Sequence, residues 1–134
     1  MLARMVGWCL AAGGILSLLA IGIGALLIPR TASAQYGIVL DDPRALAFVR
    51  AMGVRDLSLG LVLGVLAARA DRAGLGWAML ALMPVALLDL AVVSADQRAV
   101  QRGHSPGTGA WARVLHAAGV VGLLVAAMAL FAGV

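Results

Sequence analysis

Residues 50–64, RAMGVRDLSLGLVLG, decide how the chain is read. Three charges, Arg50, Arg55 and Asp56, stand in a segment otherwise apolar enough to cross a bilayer. A charge near the centre of a membrane helix costs about 2.5 to 3.5 kcal/mol on insertion scales, so such residues usually face the bundle interior and find partners there. The remaining sequence is therefore read for groups that can stand beside these three at their depth.

Composition sets the setting. Of 134 residues, 63% are hydrophobic and only 12% charged, against about 25% charged in an ordinary soluble domain, and the mean hydropathy is +1.05. At about 20 apolar residues per span, the length accommodates four membrane helices with short connections. The expected fold is all-α, an up-down integral membrane four-helix bundle forming one domain over residues 1–134, with spans near 6–28, 46–68, 74–95 and 110–132. All ten basic residues are Arg and all six acids are Asp. That bias is compatible with a GC-rich coding sequence, so the choice of Arg over Lys at any one position carries little weight. Positive helix flanks suit anionic headgroups, and no basic run or aromatic platform points to nucleic acid. Cys9 is the single cysteine, which rules out an internal disulfide or a cysteine metal cluster.

The first span ends at Pro29-Arg30, and Gly13, Ser17, Ala20 and Gly24 line up as a narrow face for close helix packing. Ala32-Ser33-Ala34 resembles a signal-peptidase site, but the preceding apolar run exceeds the 7 to 15 residues of a typical signal core, which favours a retained span. Residues 30–42 read as a connection ending in Asp42-Pro43, an N-cap followed by proline at the first helical position. In the second span, Gly53, Asp56, Gly60, Gly64 and Ala67 fall within about 80° of one another, and Gly60 with Gly64 forms a close-packing pair. Arg55 projects about 100° and Arg50 about 120° away from Asp56. Good intrahelical pairs sit three or four residues apart, so partners for Asp56 are expected from other helices. Arg69–Arg72 reads as a tight turn and Pro84 as a kink in the third span. Gln97–Gly109 reads as the third connection, with His104 solvated in it. Trp111 would lie at the headgroup level, and Gly119, Gly122 and Ala126 would form the small face of the last span.

Counting inward from the face that carries the two longer connections places Asp56, Asp89 and His116 at about 9 to 12 Å depth. Arg50, Arg55 and Arg113 fall in the same membrane half. Two carboxylates and an imidazole are the ordinary kit for general acid–base chemistry, which makes Asp56, Asp89 and His116 the candidate catalytic residues. The competing reading is a charge network that pins three helices in register, with the arginines neutralising Asp56 and Asp89. Metal binding by Asp56, Asp89 and His116 is opposed by the three cations nearby and by the lack of ligand-type His spacing, and no phosphate loop, dinucleotide fingerprint or nucleophile motif is present. No cofactor is expected.

Taken together, Pro29-Arg30 with Ala32 and Ala34, Tyr36-Gly37, the Gly53-x-Arg55-Asp56-Leu57 stretch with Gly60, Asp89 and His116 resemble the small membrane proteins grouped as domain of unknown function 4267. The resemblance covers about residues 7 to 130, and it departs from the family pattern at Ala117, where a glycine is expected after the histidine. It implies a four-helix fold and supports Arg55, Asp56, Asp89 and His116 as positions that matter, but it supplies no reaction. Tyr36 joins Arg50, Arg55 and Arg113 among the residues that would bind a substrate.

The expected function is binding of a lipophilic small molecule, with acid–base chemistry upon it. The alternatives are an accessory or structural subunit of a membrane complex, assembling through small-residue faces with itself or another membrane protein, and a small exporter. Dimeric exporters of similar size carry an essential carboxylate in the first helix, and this first helix has none. A cell-membrane location is expected, and loop arginines (Arg4, Arg69 and Arg72 on one face; Arg30, Arg44, Arg98 and Arg102 on the other) lean slightly toward a cytoplasmic site.

Overall fold

The computed structural model describes residues 2–35, 38, 40–101 and 110–132. Its helices are α1 (Leu2–Leu27), α2 (Pro29–Gln35), α3 (Pro43–Ala68), α4 (Arg72–Gln101) and α5 (Ala110–Phe131). Four of them are long and apolar enough to cross a membrane, over Arg4–Leu27, Pro43–Ala68, Arg72–Ala95 and Ala112–Phe131. Each leaves large apolar side chains exposed, such as Leu16, Leu61, Leu88 and Met128, all more than 60% accessible. In water these would form an implausibly large sticky surface; against lipid they are the solvated face.

Local chemistry sets the helix ends. Asp42 caps α3, its carboxylate accepting the Ala45 amide at 3.0 Å, with Pro43 as the first helical residue. At the other end, the Asp71 amide bonds to the Leu66 carbonyl and the Ala70 amide to the Ala67 carbonyl, a Schellman arrangement in which Ala70 takes φ 53°. Glycine usually holds that left-handed position. Asp71 then caps α4 by accepting the Gly74 amide at 2.8 Å, so one aspartate closes the α3–α4 turn and opens the next span.

Two expected connections are partly helical. Residues 29–35 form α2 rather than a loop, because Pro29 cannot donate an amide but is preorganised for a first helical turn. The chain stays on a helical path through Ile28, whose amide bonds to the Gly24 carbonyl while its own carbonyl accepts the Ala32 amide. Likewise α4 runs on to Gln101, past the expected start of the third connection, and passes Pro84 without ending.

α1 lies at the middle of the packing. It contacts α3 on one side and α5 on the other; α5 contacts α4, and α3 and α4 touch only sparsely despite their short turn. The α1–α3 contact is antiparallel and tight where glycines meet. A Cβ at Gly53 would stand 2.8 Å from the Gly22 carbonyl oxygen and 2.7 Å from the Ala25 Cβ, and one at Gly22 would stand 2.8 Å from the Gly53 carbonyl oxygen. The buried positions of α3, Leu46, Val49, Gly53, Asp56, Gly60 and Leu63, alternate in steps of three and four, the spacing of a left-handed helix seam.

The packing faces differ from the sequence reading in three places. In α1 the buried stripe runs through Gly7, Ala11, Gly22 and Ala25. Gly13, Ser17, Ala20 and Gly24 turn away from it, with nothing within 4 Å of a Cβ at Gly13 or Gly24. Two small-residue faces were available, and the one that packs stands beside Ile15, Leu18 and Leu19, which meet the α3 glycines or the larger apolar cluster. In α3 the close contacts are at Gly53 and Gly60, while a Cβ at Gly64 would come no nearer than 3.9 Å to Ile15. In α5 Gly119 and Gly122 have nothing within 4 Å of a Cβ, and Ala126, Ala127 and Leu130 supply the buried face.

Apolar packing is concentrated in two places. The larger cluster, Ala11, Leu63, Leu75, Met79, Ala126, Ala127 and Leu130, lies toward the α3–α4 turn. The smaller one, Ala25, Ala32 and Val49, lies under α2. Asp56 is seven residues from both Val49 and Leu63, so it falls between them.

The glycine contact is testable. Gly53→Ala should force α1 and α3 apart and destabilise by about 1–3 kcal/mol, the usual cost of overpacking. Gly13→Ala should be neutral or stabilising by up to about 1 kcal/mol, because it only removes helical glycine entropy. Thermal unfolding in mild detergent, followed by circular dichroism, separates the two; an unchanged Gly53→Ala midpoint would refute the contact.

Candidate functional site

The buried face of α3 carries Asp56 into the α1–α3 seam, where the residue is only 4% exposed. Its carboxylate is held by its sequence neighbour. Arg55 reaches Asp56 Oδ1 with both Nε and Nη2, each at 3.0 Å. This corrects the expectation that partners for Asp56 come only from other helices. Adjacent side chains diverge by about 100°, but the arginine stem is long enough to fold back around the helix and present two N–H groups to one oxygen.

The same guanidinium also faces α4. Arg55 Nη2 lies 3.7 Å from Asp89 Oδ2, longer than a hydrogen bond but close enough for strong attraction in a medium of low dielectric. Arg55 thus joins two carboxylates from different helices, at the side of the bundle where α3 and α4 barely touch. Burial grades across the cluster: the Asp56 side chain is 5% exposed, Asp89 30% and Arg55 40%. Asp56 is the inner anchor and Asp89 the accessible carboxylate.

His116 is half-buried on α5, and its Nδ1 lies 2.7 Å from the Ala112 carbonyl oxygen. A carbonyl can only accept, so Nδ1 carries the proton, and in the neutral ring Nε2 is the acceptor. Arg72 Nη2 donates to the Leu130 carbonyl at 2.8 Å, which places the start of α4 level with the end of α5. Measured from that face by helix rise, Asp56, His116 and Asp89 stand about 20 to 26 Å deep. Among the described residues, no three His, Cys, Asp or Glu side chains gather closely enough to hold a metal ion.

The other expected site residues are spread out. Arg50 is exposed and lines a groove of about 460 Å³ with Leu27, Pro29, Arg30 and Leu46. Arg113 is exposed in the first turn of α5. Tyr36 and His104 lie outside the described residues, as do the side chains of Asp96, Arg98 and Trp111. Two arginines gain roles that the sequence reading had not given them. Arg72, assigned to a turn, satisfies a carbonyl in the last turn of α5, a partner 58 residues away for which the sequence holds no local signal. Arg30, assigned to a helix flank, shares the groove with Arg50.

An all-helical chain with four apolar spans and a charged cluster between two apolar ones defines a small multi-pass integral membrane protein. It belongs to the family described as a domain of unknown function, DUF4267, whose model matches residues 16–130. Comparison with curated proteins and with solved structures gives no match.

The pairing predicts an asymmetry between variants. Arg55→Gln leaves a buried carboxylate beside an uncharged partner, and removing one member of a buried ion pair costs about 3–5 kcal/mol. With Arg55 partly exposed, about 1–3 kcal/mol is expected. Asp89→Asn should cost less than about 1 kcal/mol, and adding Asp56→Asn to Arg55→Gln should recover most of the loss. A thermal-stability double-mutant cycle checks this; equal coupling of Arg55 to both aspartates would contradict the graded arrangement.

Proposed function

We propose that the Arg55–Asp56–Asp89 cluster binds the polar end of a lipophilic small molecule that enters between α3 and α4, and that Asp89 and His116 exchange protons with it. One observation carries this reading: a single arginine spans two carboxylates of unequal burial at the loosest side of the bundle. A purely structural clamp would gain most where the helices are tightly packed; here Asp56 is anchored in the tight α1–α3 seam, while Arg55 and Asp89 meet on the α3–α4 side, where a ligand could part the helices at little packing cost. Asp56 keeps Arg55 in place and holds it as the fixed positive group for an anionic or carbonyl oxygen. Asp89 can then take or give a proton, and His116 on α5 supplies an imidazole as the second acid–base group. Tyr36, Arg50 and Arg113 remain candidates for further contacts to the substrate. Reactions that need only proton transfer, such as isomerisation, cyclisation or hydrolysis, suit these groups best, in a protein of the cell membrane.

A second reading is favoured by the outward small-residue face of α1. Gly13 and Gly24 have open space beside them, as a helix surface would if it received a second copy or another membrane subunit. In that case the charged cluster holds register within an accessory protein.

Native mass spectrometry of the protein extracted from its own membrane distinguishes them. A lipophilic adduct on the native chain should fall at least about tenfold, or about 1.4 kcal/mol in affinity, in Asp56→Asn, Asp89→Asn and His116→Ala, with helical content and melting little changed. Misassembly of all three variants, or bare oligomers in every sample, would replace the ligand reading with the structural one.

A further inference from the structure

We infer that the groove at the corner of α1, α2 and α3 is a binding site for the headgroup of an anionic phospholipid, with Arg30 and Arg50 as its two cationic contacts. The groove encloses about 460 Å³. Its walls are apolar where α1 ends, and Leu27 and Ile28 are 75% and 55% exposed. Arg30 and Arg50 stand on its lining, together with Thr31.

Its position in the bilayer follows from the chain. The apolar run of α1 stops at Pro29, so α2 begins at the level where hydrocarbon gives way to headgroups. Arg50 lies about 10 Å along α3 from Pro43, within the apolar zone, and an exposed arginine there must send its guanidinium toward the interface along its own stem. That movement leads toward the level of Arg30.

Charge then selects the occupant. Arg50 meets no carboxylate among the described residues, and Arg30 meets only Asp41, at 3.9 Å with both side chains largely exposed, a contact that neutralises little. Two guanidinium groups facing one hollow match the paired oxygens of a phosphate. The exposed leucine and isoleucine below them offer a track for an acyl chain, which inorganic phosphate would leave unused. A headgroup with no cation of its own, such as that of phosphatidylglycerol, keeps both attractions, whereas the choline of phosphatidylcholine opposes them. The inference needs Arg30 and Arg50 alone and stands whether or not the Arg55 cluster is a reaction site.

The test is native mass spectrometry of delipidated protein titrated with phosphatidylglycerol or phosphatidylcholine. Phosphatidylglycerol should bind about five- to tenfold more tightly, and Arg30→Gln or Arg50→Gln should each remove most of that preference. Arg50→Lys should keep part of it, and Arg44→Gln, on an exposed surface beside the groove but not on its lining, should keep nearly all. Binding should persist in Asp89→Asn, which separates this site from the one proposed above. Equal affinity for the two lipids, an unchanged preference in Arg50→Gln, the same loss in Arg44→Gln, or displacement by millimolar inorganic phosphate would each overturn the assignment.

Discussion

A carboxylate in a helix seam governs the architecture. Asp56 occupies one position of the three–four pattern by which α3 meets α1, where an apolar residue would be cheapest. A polar group at a seam position fixes register at a cost in stability, and this one brings its own counter-charge from the preceding residue. The glycines on either side make that arrangement feasible. Gly53 lets α1 approach through Gly22 and Ala25 and Gly60 lets it approach through Leu18 and Leu19, and Asp56 between them is only 4% exposed, while Arg55 stays at the edge and reaches outward. Larger residues at these glycines would separate the helices, expose Asp56 to lipid and remove the reason for Arg55 to turn back.

The spans, the Asp42–Pro43 start of α3 and the turn at Asp71 were legible in the sequence because each rests on local chemistry: length, capping and the loss of an amide at proline. The small faces of α1 and α5 were less so. Alanine and glycine are frequent enough here that several helix faces look suitable for close packing, and only the position of the neighbouring helix chooses among them. Gly7 and Gly22 were as visible as Gly13 and Gly24, but nothing local distinguishes a glycine that meets backbone from one that meets lipid. The Arg55–Asp56 contact was hidden by a rule that suits short side chains: neighbours on a helix point apart, yet an arginine stem can cover the difference.

Depth was more readable than direction. Helix rise alone brought Asp56, Asp89 and His116 to a common level, and the Arg72–Leu130 hydrogen bond independently aligns α4 with α5. Which residues meet within that level depends on how far apart α3 and α4 stand. The larger apolar cluster joins α1, α3, α4 and α5 toward the α3–α4 turn, whereas the smaller joins only α1, α2 and α3 at the other end, so beyond the larger cluster α3 is tied to α1 rather than to α4.

The central place of α1 also bears on how the chain is made. Ribosomal synthesis delivers α1 first, then α3, and these two hold the glycine contact, so the pair can settle in the bilayer while later segments are still emerging. The order of α4 and α5 is different. α4 follows α3 after a three-residue turn but finds its main neighbour in α5, which is produced after it. The hairpin formed by α3 and α4 is therefore a covalent unit that is only sparsely packed, and α4 gains most of its contacts when α5 arrives. The arrival of α5 between α1 and α4 then joins the α1–α3 pair to α4.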